Sequence, residues 1–318
     1  MHVADHNTGL NCTQLEVVGL GRCTWDHVVL IDYVPEWDDP KAATVHQFTH
    51  SGGGPVATAL AALGRLGARV GYIGTVGDDE TGAAIQAGLV AEHVDVSRLR
   101  VLSGQRSRTT VVLVQAESGK RCFLAYPGTT TAVILDDQDR SYVATARVLH
   151  LDGDHSSAAA TAAQWIRQTG GQVVLDAGFV TPDLPDLLPL VDVLITNRSF
   201  PARFTGSSDP SDAARCLLAF GPTLVVSTLA EGGCTCWSRQ GHVHVPGFAV
   251  DVVDTTGAGD AFHGAFIYGM LRGWDTVRTA TFSNAVAAIK CTGLGGRKAL
   301  PTLEQTFAFL AARERSAG

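Results

Sequence analysis

Positive charge is scarce in this sequence. Its 24 Lys and Arg are outnumbered by 31 Asp and Glu, for a formal net charge of -7. That balance excludes a general nucleic-acid binder, which needs a basic surface. It leaves room for a local basic pocket around an anionic ligand. Charge of either sign is thin, at 17% of residues, whereas 45% are hydrophobic. Such a chain is neither disordered nor fibrous, and it can bury a large core. No apolar run reaches the roughly eighteen residues of a membrane helix, so no membrane partner is expected. The opening residues MHVADHNTGLNCTQ lack the apolar segment of a secretory leader. The expected location is the cytoplasm. The seven cysteines (Cys12, Cys23, Cys122, Cys216, Cys234, Cys236 and Cys291) are odd in number and lack a CxxC spacing. Reduced, mostly buried thiols are expected, with no zinc site. A dinucleotide fingerprint is missing too. Gly19-Leu20-Gly21 follows the first apolar run, but Trp25-Asp26 comes next and no further glycine. That excludes a Rossmann dehydrogenase.

The most informative stretch is VDVVDTTGAGDAFHGAF, Val250 to Phe266. It joins a strand-like run, His242 to Val250, to a helical one. Small residues between them let backbone N–H groups of Gly257, Ala258 and Gly259 turn toward one point. The following helix adds its positive end, and together they make an anion cradle suited to phosphate. Asp260 falls on the first turn of that helix. A carboxylate beside a phosphate site can take the proton from an attacking hydroxyl. The simpler reading is a tight turn with Asp260 as a helix cap. The whole stretch resembles the C-terminal signature DTxGAGDxFxG of the ribokinase-like (PfkB) carbohydrate kinases.

Other parts of the chain extend the resemblance. Ser51 to Gly67, SGGGPVATALAALGRLG, opens a helix near Pro55. It resembles the family's GGxxxNxAxxxxRLG, with Gly53 and Gly54 at the paired glycines and Thr58 in the Asn position. The GGGPxATA form, and KCTxxGGRxxxP around Arg297, resemble the sulfofructose kinase branch. Asp26 lies in an apolar setting and must find donors, from the protein or from a ligand. The resemblance makes it a sugar-hydroxyl ligand. Arg108 to Val114 and Arg121 to Tyr126 form a hairpin. With the strand expected over Lys41 to Ser51, it builds a small lid from segments at about 33–51 and 106–128. Lys41 and Arg108 are the only basic residues expected near the acceptor, which favours a neutral sugar. Asp152, Asp154, His155 and Asp176 end strands, where open α/β sheets bind ligands. His155 would touch the acceptor or cap the next helix.

On the nucleotide side, Asn197 matches the first residue of the family's NxxE, but Phe200 stands in the Glu position. Mg²⁺ is therefore expected to arrive with the nucleotide. Thr228 and Gly233 match the TLGxxG nucleotide turn, with Ala230 in place of its first Gly. Asn284 falls where the family lines its adenine pocket. Asp254, Thr256 and Gly295 are candidates for a monovalent cation such as K⁺.

At 318 residues the chain suits one α/β domain with a small appendage. Strands alternating with helices support that class. The resemblance implies one ribokinase-like domain over 1–318. Its fold would be a doubly wound, mostly parallel sheet flanked by helices, with a small β-sheet lid. It further implies an ATP- and Mg²⁺-dependent kinase for a hydroxyl of a sugar or similar small molecule. A homodimer that covers the lid's exposed edges is expected. Two alternatives stay open. A nucleoside acceptor would use Trp25, Tyr33 and Trp37 as a slot. A catalytically weak sugar sensor is suggested by the missing glutamate.

Overall fold

The computed structural model describes residues 14–317. Cys12 and the opening segment lie outside the described residues. In chain order the elements are β1 (Val17–Leu20), β2 (Thr24–Ile31), β3 (Val45–Gly53), α1 (Pro55–Arg65), β4 (Val70–Gly77), α2 (Glu80–Ala91), β5 (Val94–Leu102), β6 (Thr109–Gln115) and β7 (Arg121–Tyr126). Next come α3 (Asp137–Ala144), β8 (Val148–Leu151), α4 (Ser156–Gln168), β9 (Gln172–Ala177), α5 (Leu184–Leu187), β10 (Val193–Asn197), α6 (Phe200–Thr205), α7 (Pro210–Ala219) and β11 (Leu224–Thr228). The chain closes with β12 (Cys234–Ser238), β13 (Gly241–Val245), α8 (Ala258–Leu271), α9 (Thr276–Lys290) and α10 (Leu303–Ala317).

The main sheet has nine strands in the order β13-β12-β11-β10-β9-β8-β1-β4-β5. All pair in parallel except the two edge pairs, β11 with β12 and β12 with β13. Its central strands are apolar along their whole length because helices cover both faces. Alternation then divides the core. Val17 packs with Leu60, Phe266 and Phe282 on the α1, α8 and α9 side. Its neighbour Val18 packs with Leu149, Ala162 and Leu175 on the α4 side. Burying each such side chain contributes about 1.5–3 kcal/mol. The α1–α8 seam is tight at Gly264, where an added Cβ would stand 2.4 Å from the Ala59 carbonyl oxygen.

β1 is the centre of the doubly wound order. It lies between β8 and β4, and the crevice at the strands' carboxyl ends opens there. The residues after β1, the Asp152 loop after β8, Asp176 in β9 and Asn197 in β10 all reach this edge.

The second sheet is the lid, β3-β2-β6-β7. β2 runs antiparallel to β3 and parallel to β6, and β6 and β7 form the expected hairpin. Val28, Val112 and Val114 on the lid's inner side pack on Leu294 of the glycine-rich loop after α9. Two strand expectations need correction. The lid strand begins at Val45, so Lys41 lies outside it, on an exposed loop. The run expected from His242 to Val250 pairs only to Val245. Pro246 follows, and it has no N–H to continue the ladder. No helix among the described residues is long and apolar enough to cross a membrane.

Candidate active site

The site begins with the loop 254–257. Gly257 has φ 75°, and an added Cβ would stand 2.7 Å from the Gly296 carbonyl oxygen. Only glycine takes that left-handed turn easily. It is also the N-cap of α8, with no side chain capping the helix. Gly259 faces open space, since an added Cβ would meet nothing within 4 Å. The N–H groups of Gly257, Gly259 and Asp260 donate to no acceptor among the described residues. The third donor expected from the sequence, Ala258, is different: its N–H donates to Thr255 O at 3.2 Å and closes the turn. Free donors and the helix dipole leave a cradle that an anion would satisfy.

Asp260 is half-buried on the first turn of α8. Burial is the main cause that pushes its carboxyl up to about 7; Asp26 and Asp152 add to the shift, and Arg121 and Arg297 oppose it. Asp176 is also raised well above its ordinary value, by burial and then by Asp260 and Asp152. His263, whose Nδ1 lies 3.8 Å from Asp176 Oδ2, is held neutral by burial.

Opposite the cradle is the end of β3. Asp26 is 6% exposed and accepts a 2.7 Å hydrogen bond from Thr24 Oγ1. Gly53 lies so close that an added Cβ would stand 2.2 Å from Asp26 Oδ2. Gly54, at φ 89°, turns the chain into α1, and a Cβ there would strike the Arg22 carbonyl oxygen at 2.3 Å. Thr58 follows on the first turn of α1. Between these groups lies Arg297, 5% exposed, with Nη2 donating to Gly53 O at 2.9 Å and Nε to Thr58 Oγ1 at 3.3 Å. No carboxylate among the described residues touches its guanidinium.

The third wall is cationic. Arg108 Nη2 lies 3.1 Å and Arg22 Nε 3.6 Å from the same oxygen, Asp154 Oδ2. Asp152 positions this corner by accepting the Arg22 backbone N–H at 2.7 Å. His155 takes a left-handed turn before α4, and its side chain makes no capping bond. Its Nε2 is 4.0 Å from Asp154, and burial lowers its pKa. From the lid, Arg121 at the start of β7 hydrogen-bonds Thr255 Oγ1 beside the cradle.

Lys41 belongs to none of these walls. Its own backbone bonds are to Asp39 and Tyr33 in the exposed loop. The expectation that only Lys41 and Arg108 supply basic groups is therefore overturned by Arg22, Arg121 and Arg297. Nor do Trp25, Tyr33 and Trp37 form one slot. Trp37 is 99% exposed, while Trp25 packs on the main core.

The residues expected at the nucleotide hold backbone instead. Asn197 Oδ1 accepts from Ser199 N and Phe200 N, and its Nδ2 donates to Gly178 O. Phe200 is in the core, stacked on Phe204. Thr228 Oγ1 donates to Thr196 O. Gly233 is a tight turn whose added Cβ would stand 2.2 Å from Val245 O. Asn284 Nδ2 donates to Val245 O and Pro246 O.

Of the three cation candidates, Asp254 has its carboxylate filled by the N–H groups of Thr256 and Gly295, each at 2.8 Å. Its carbonyl oxygen accepts the ammonium of Lys290, also at 2.8 Å. These residues do not fit a bound metal ion at that carbonyl. The sequence reading missed Lys290, Arg22 and Arg121, which meet the site only through contacts distant in the chain. A cavity of about 1370 Å³ lies elsewhere, between Arg65, Glu92, Leu300 and Phe309, and no residue of this site lines it.

Comparison with known proteins bears on the family and the fold. A family model described as pfkB family carbohydrate kinase matches residues 16–303. The chain is 30% identical over 308 residues to the ATP-dependent ribose-1-phosphate kinase of Halopiger xanaduensis, covering 94% of this chain and 99% of that one. It is 29% identical over 301 residues to the aminoimidazole riboside kinase of Salmonella typhimurium, covering 88% and 92%. In fold it is similar to Arabidopsis thaliana ribokinase complexed with ribose and ATP. That superposition has a TM-score of 0.82 at 24% identity, over 93% of this chain and 99% of the other.

Proposed function

The chain belongs to the pfkB family of carbohydrate kinases, and on that premise we propose that it moves the γ-phosphoryl group of ATP onto a sugar hydroxyl, with Asp260 as base. The carrying observation is Asp260 itself, raised to about 7 and set beside three free backbone donors. A base poised near neutral pH takes a proton efficiently. Asp260 accepts the acceptor's hydroxyl proton as that oxygen bonds to phosphorus and the bond to ADP breaks. The N–H groups of Gly257, Gly259 and Asp260 hold the moving charge. Arg121 closes the lid side of the cradle by its bond to Thr255. Mg²⁺, arriving with the nucleotide, would offset the charge of its phosphates. Asp26, Gly53, Thr58 and Arg297 orient the acceptor. Asn197, Thr228, Gly233 and Asn284 shape the nucleotide edge by fixing its turns.

A second reading concerns the acceptor. Two guanidinium groups, Arg22 and Arg108, share the one carboxylate of Asp154, and Arg297 has only neutral partners among the described residues. This favours an acceptor carrying its own anionic group, such as a sugar phosphate, over a neutral sugar. The name of the Halopiger xanaduensis relative, ribose-1-phosphate kinase, agrees with it. The test is ADP release with ATP and Mg²⁺ across ribose, fructose, ribose-1-phosphate, sulfofructose and nucleosides. Turnover on an anionic sugar is expected, and Asp260→Asn should lower it by at least about 100-fold with both ligands still binding. Turnover on neutral sugars alone would remove the second reading. Near-normal turnover by Asp260→Asn would remove the base. Binding without any turnover would leave a sugar sensor.

The lid also proposes a partner. Val45 and Phe48 on β3, and Phe123, Leu124 and Tyr126 on β7, are exposed. We read these lid surfaces as the contact of a homodimer. Light scattering should show Phe48→Glu with Leu124→Glu as a monomer and the parent protein as a dimer.

A further inference from the structure

Lys290 is the last residue of α9, and its side chain is 0% exposed. An ammonium taken out of water without a carboxylate contact is costly. Its hydrogen bond goes to a backbone carbonyl, that of Asp254, at 2.8 Å. The Asp254 carboxylate has turned away. Its two oxygens accept the N–H groups of Thr256 and Gly295, which tie the cradle loop to the glycine-rich loop after α9. The helix ends at the ammonium, so the negative end of the α9 dipole also faces it. Burial lowers the Lys290 pKa, and Asp254 acts against that.

We infer that the Lys290 ammonium is the resident cation of the cradle loop, standing where a monovalent metal ion was expected, so that turnover does not depend on potassium. Potassium and an ammonium group have similar size, and both bind carbonyl oxygens. A metal ion at the Asp254 carbonyl would share it with a like charge. The ammonium holds the start of the loop at the Asp254 carbonyl, while Gly259 farther along faces open space. Lys290 is a positioning residue: it acts through the loop and touches no reacting atom. The inference rests on the kinase reading only where turnover is measured; melting does not need that reading.

The experiment compares wild type and Lys290→Ala in potassium and in tetramethylammonium chloride at equal ionic strength, by melting temperature and by ADP release. Wild type should give the same melting temperature and turnover in both salts. Lys290→Ala opens a space beside the Asp254 carbonyl. Its melting temperature should rise by about 2–4 °C in potassium, as expected for an ion that binds the folded state alone. Its turnover should fall by about 100-fold in tetramethylammonium and recover about tenfold in potassium. A purely structural lysine would not give rescue that depends on the ion. Potassium activation or stabilisation of wild type would overturn the inference. So would a folded Lys290→Ala that keeps its turnover, or that ignores potassium. If Lys290→Ala does not fold, the wild-type comparison decides alone. If no acceptor gives turnover, the melting comparison still decides, and only the kinase reading fails.

Discussion

Arg297 donates from Nε to Thr58 Oγ1 at 3.3 Å, joining residues 239 apart in the chain. The pair replaces an expected amide with a hydroxyl that serves a guanidinium. The candidate site therefore presents a cation where the sequence pattern suggested only a smaller side chain.

Arg297→Met should raise the acceptor KM by about 10- to 100-fold, the effect of losing a charged hydrogen bond of roughly 1.5–3 kcal/mol. The KM for ATP should move less than about twofold by comparison. Initial-rate kinetics with each substrate varied in turn would separate the two. Equal rises in both would place Arg297 outside the acceptor pocket.

Asp260 sets the pH dependence. Its value in the fold, about 7, lies above the ordinary 3.8. Stability from this group is therefore complete below the ordinary value and fades as pH rises through about 7. On the proposed role of Asp260, activity should run the other way, because a base must be unprotonated. In the free enzyme kcat/KM should climb with pH and reach half its plateau near 7. Arg121 pulls the Asp260 value down. Arg121→Ala should move the rising limb to higher pH, and a limb that stays put or moves lower would contradict that coupling.

Phe200 occupies the sequence position of an expected acidic residue but lies fully in the core. Phe200→Glu should therefore not improve Mg²⁺ use. It should cost at least about 4 kcal/mol by placing a charge among apolar side chains. Urea unfolding and Mg²⁺ titration of turnover test the two halves. A stable variant with tighter Mg²⁺ dependence would show that α6 can turn this position outward.

Far from the site, Arg98 Nε donates to Asp139 Oδ1 at 2.7 Å, Arg100 bonds the other oxygen, and Asp139 is fully buried. Asp139→Asn should destabilise the fold by about 3 kcal/mol, measured by urea unfolding, with little change in KM. Its neighbour Asp136 is lowered to about 2 by the Asp139 backbone N–H, with Arg98 assisting. A lowered carboxylate stabilises the fold above its ordinary value, 3.8, and that contribution is lost as pH falls toward 2. The wild-type unfolding midpoint should therefore drop between those values.

The sheet, the lid hairpin and the glycine turn into α8 were legible because each is written locally. GAGD carries its own turn and helix start, and the central strands are unbroken apolar runs. Other features depended on partners remote in the chain. β5 reads VDVSRLRVL and shifts register against β4 between Gly71 and Ile73, which blurs its alternation. β2 looks like part of the main sheet because only Gly21, Arg22 and Cys23 separate it from β1. Arg22, Arg121, Lys290 and Arg297 sit in ordinary polar or glycine-rich text. Their roles depend on contacts with Asp154, Thr255, Asp254 and Gly53, and each of those pairings is tertiary.

The parallel pairing of β2 with β6 carries a lesson for recombining relatives of this protein. The lid is not a cassette inserted at one place: residues 24–53 supply one half and 109–126 the other, and the seam between them is a row of backbone bonds. A chimera that imports one half must satisfy a foreign seam or leave a bare strand edge inside the sheet. The lid is thus transplantable only as a matched pair of segments, and shuffling libraries with a single crossover between them will be depleted of folded members.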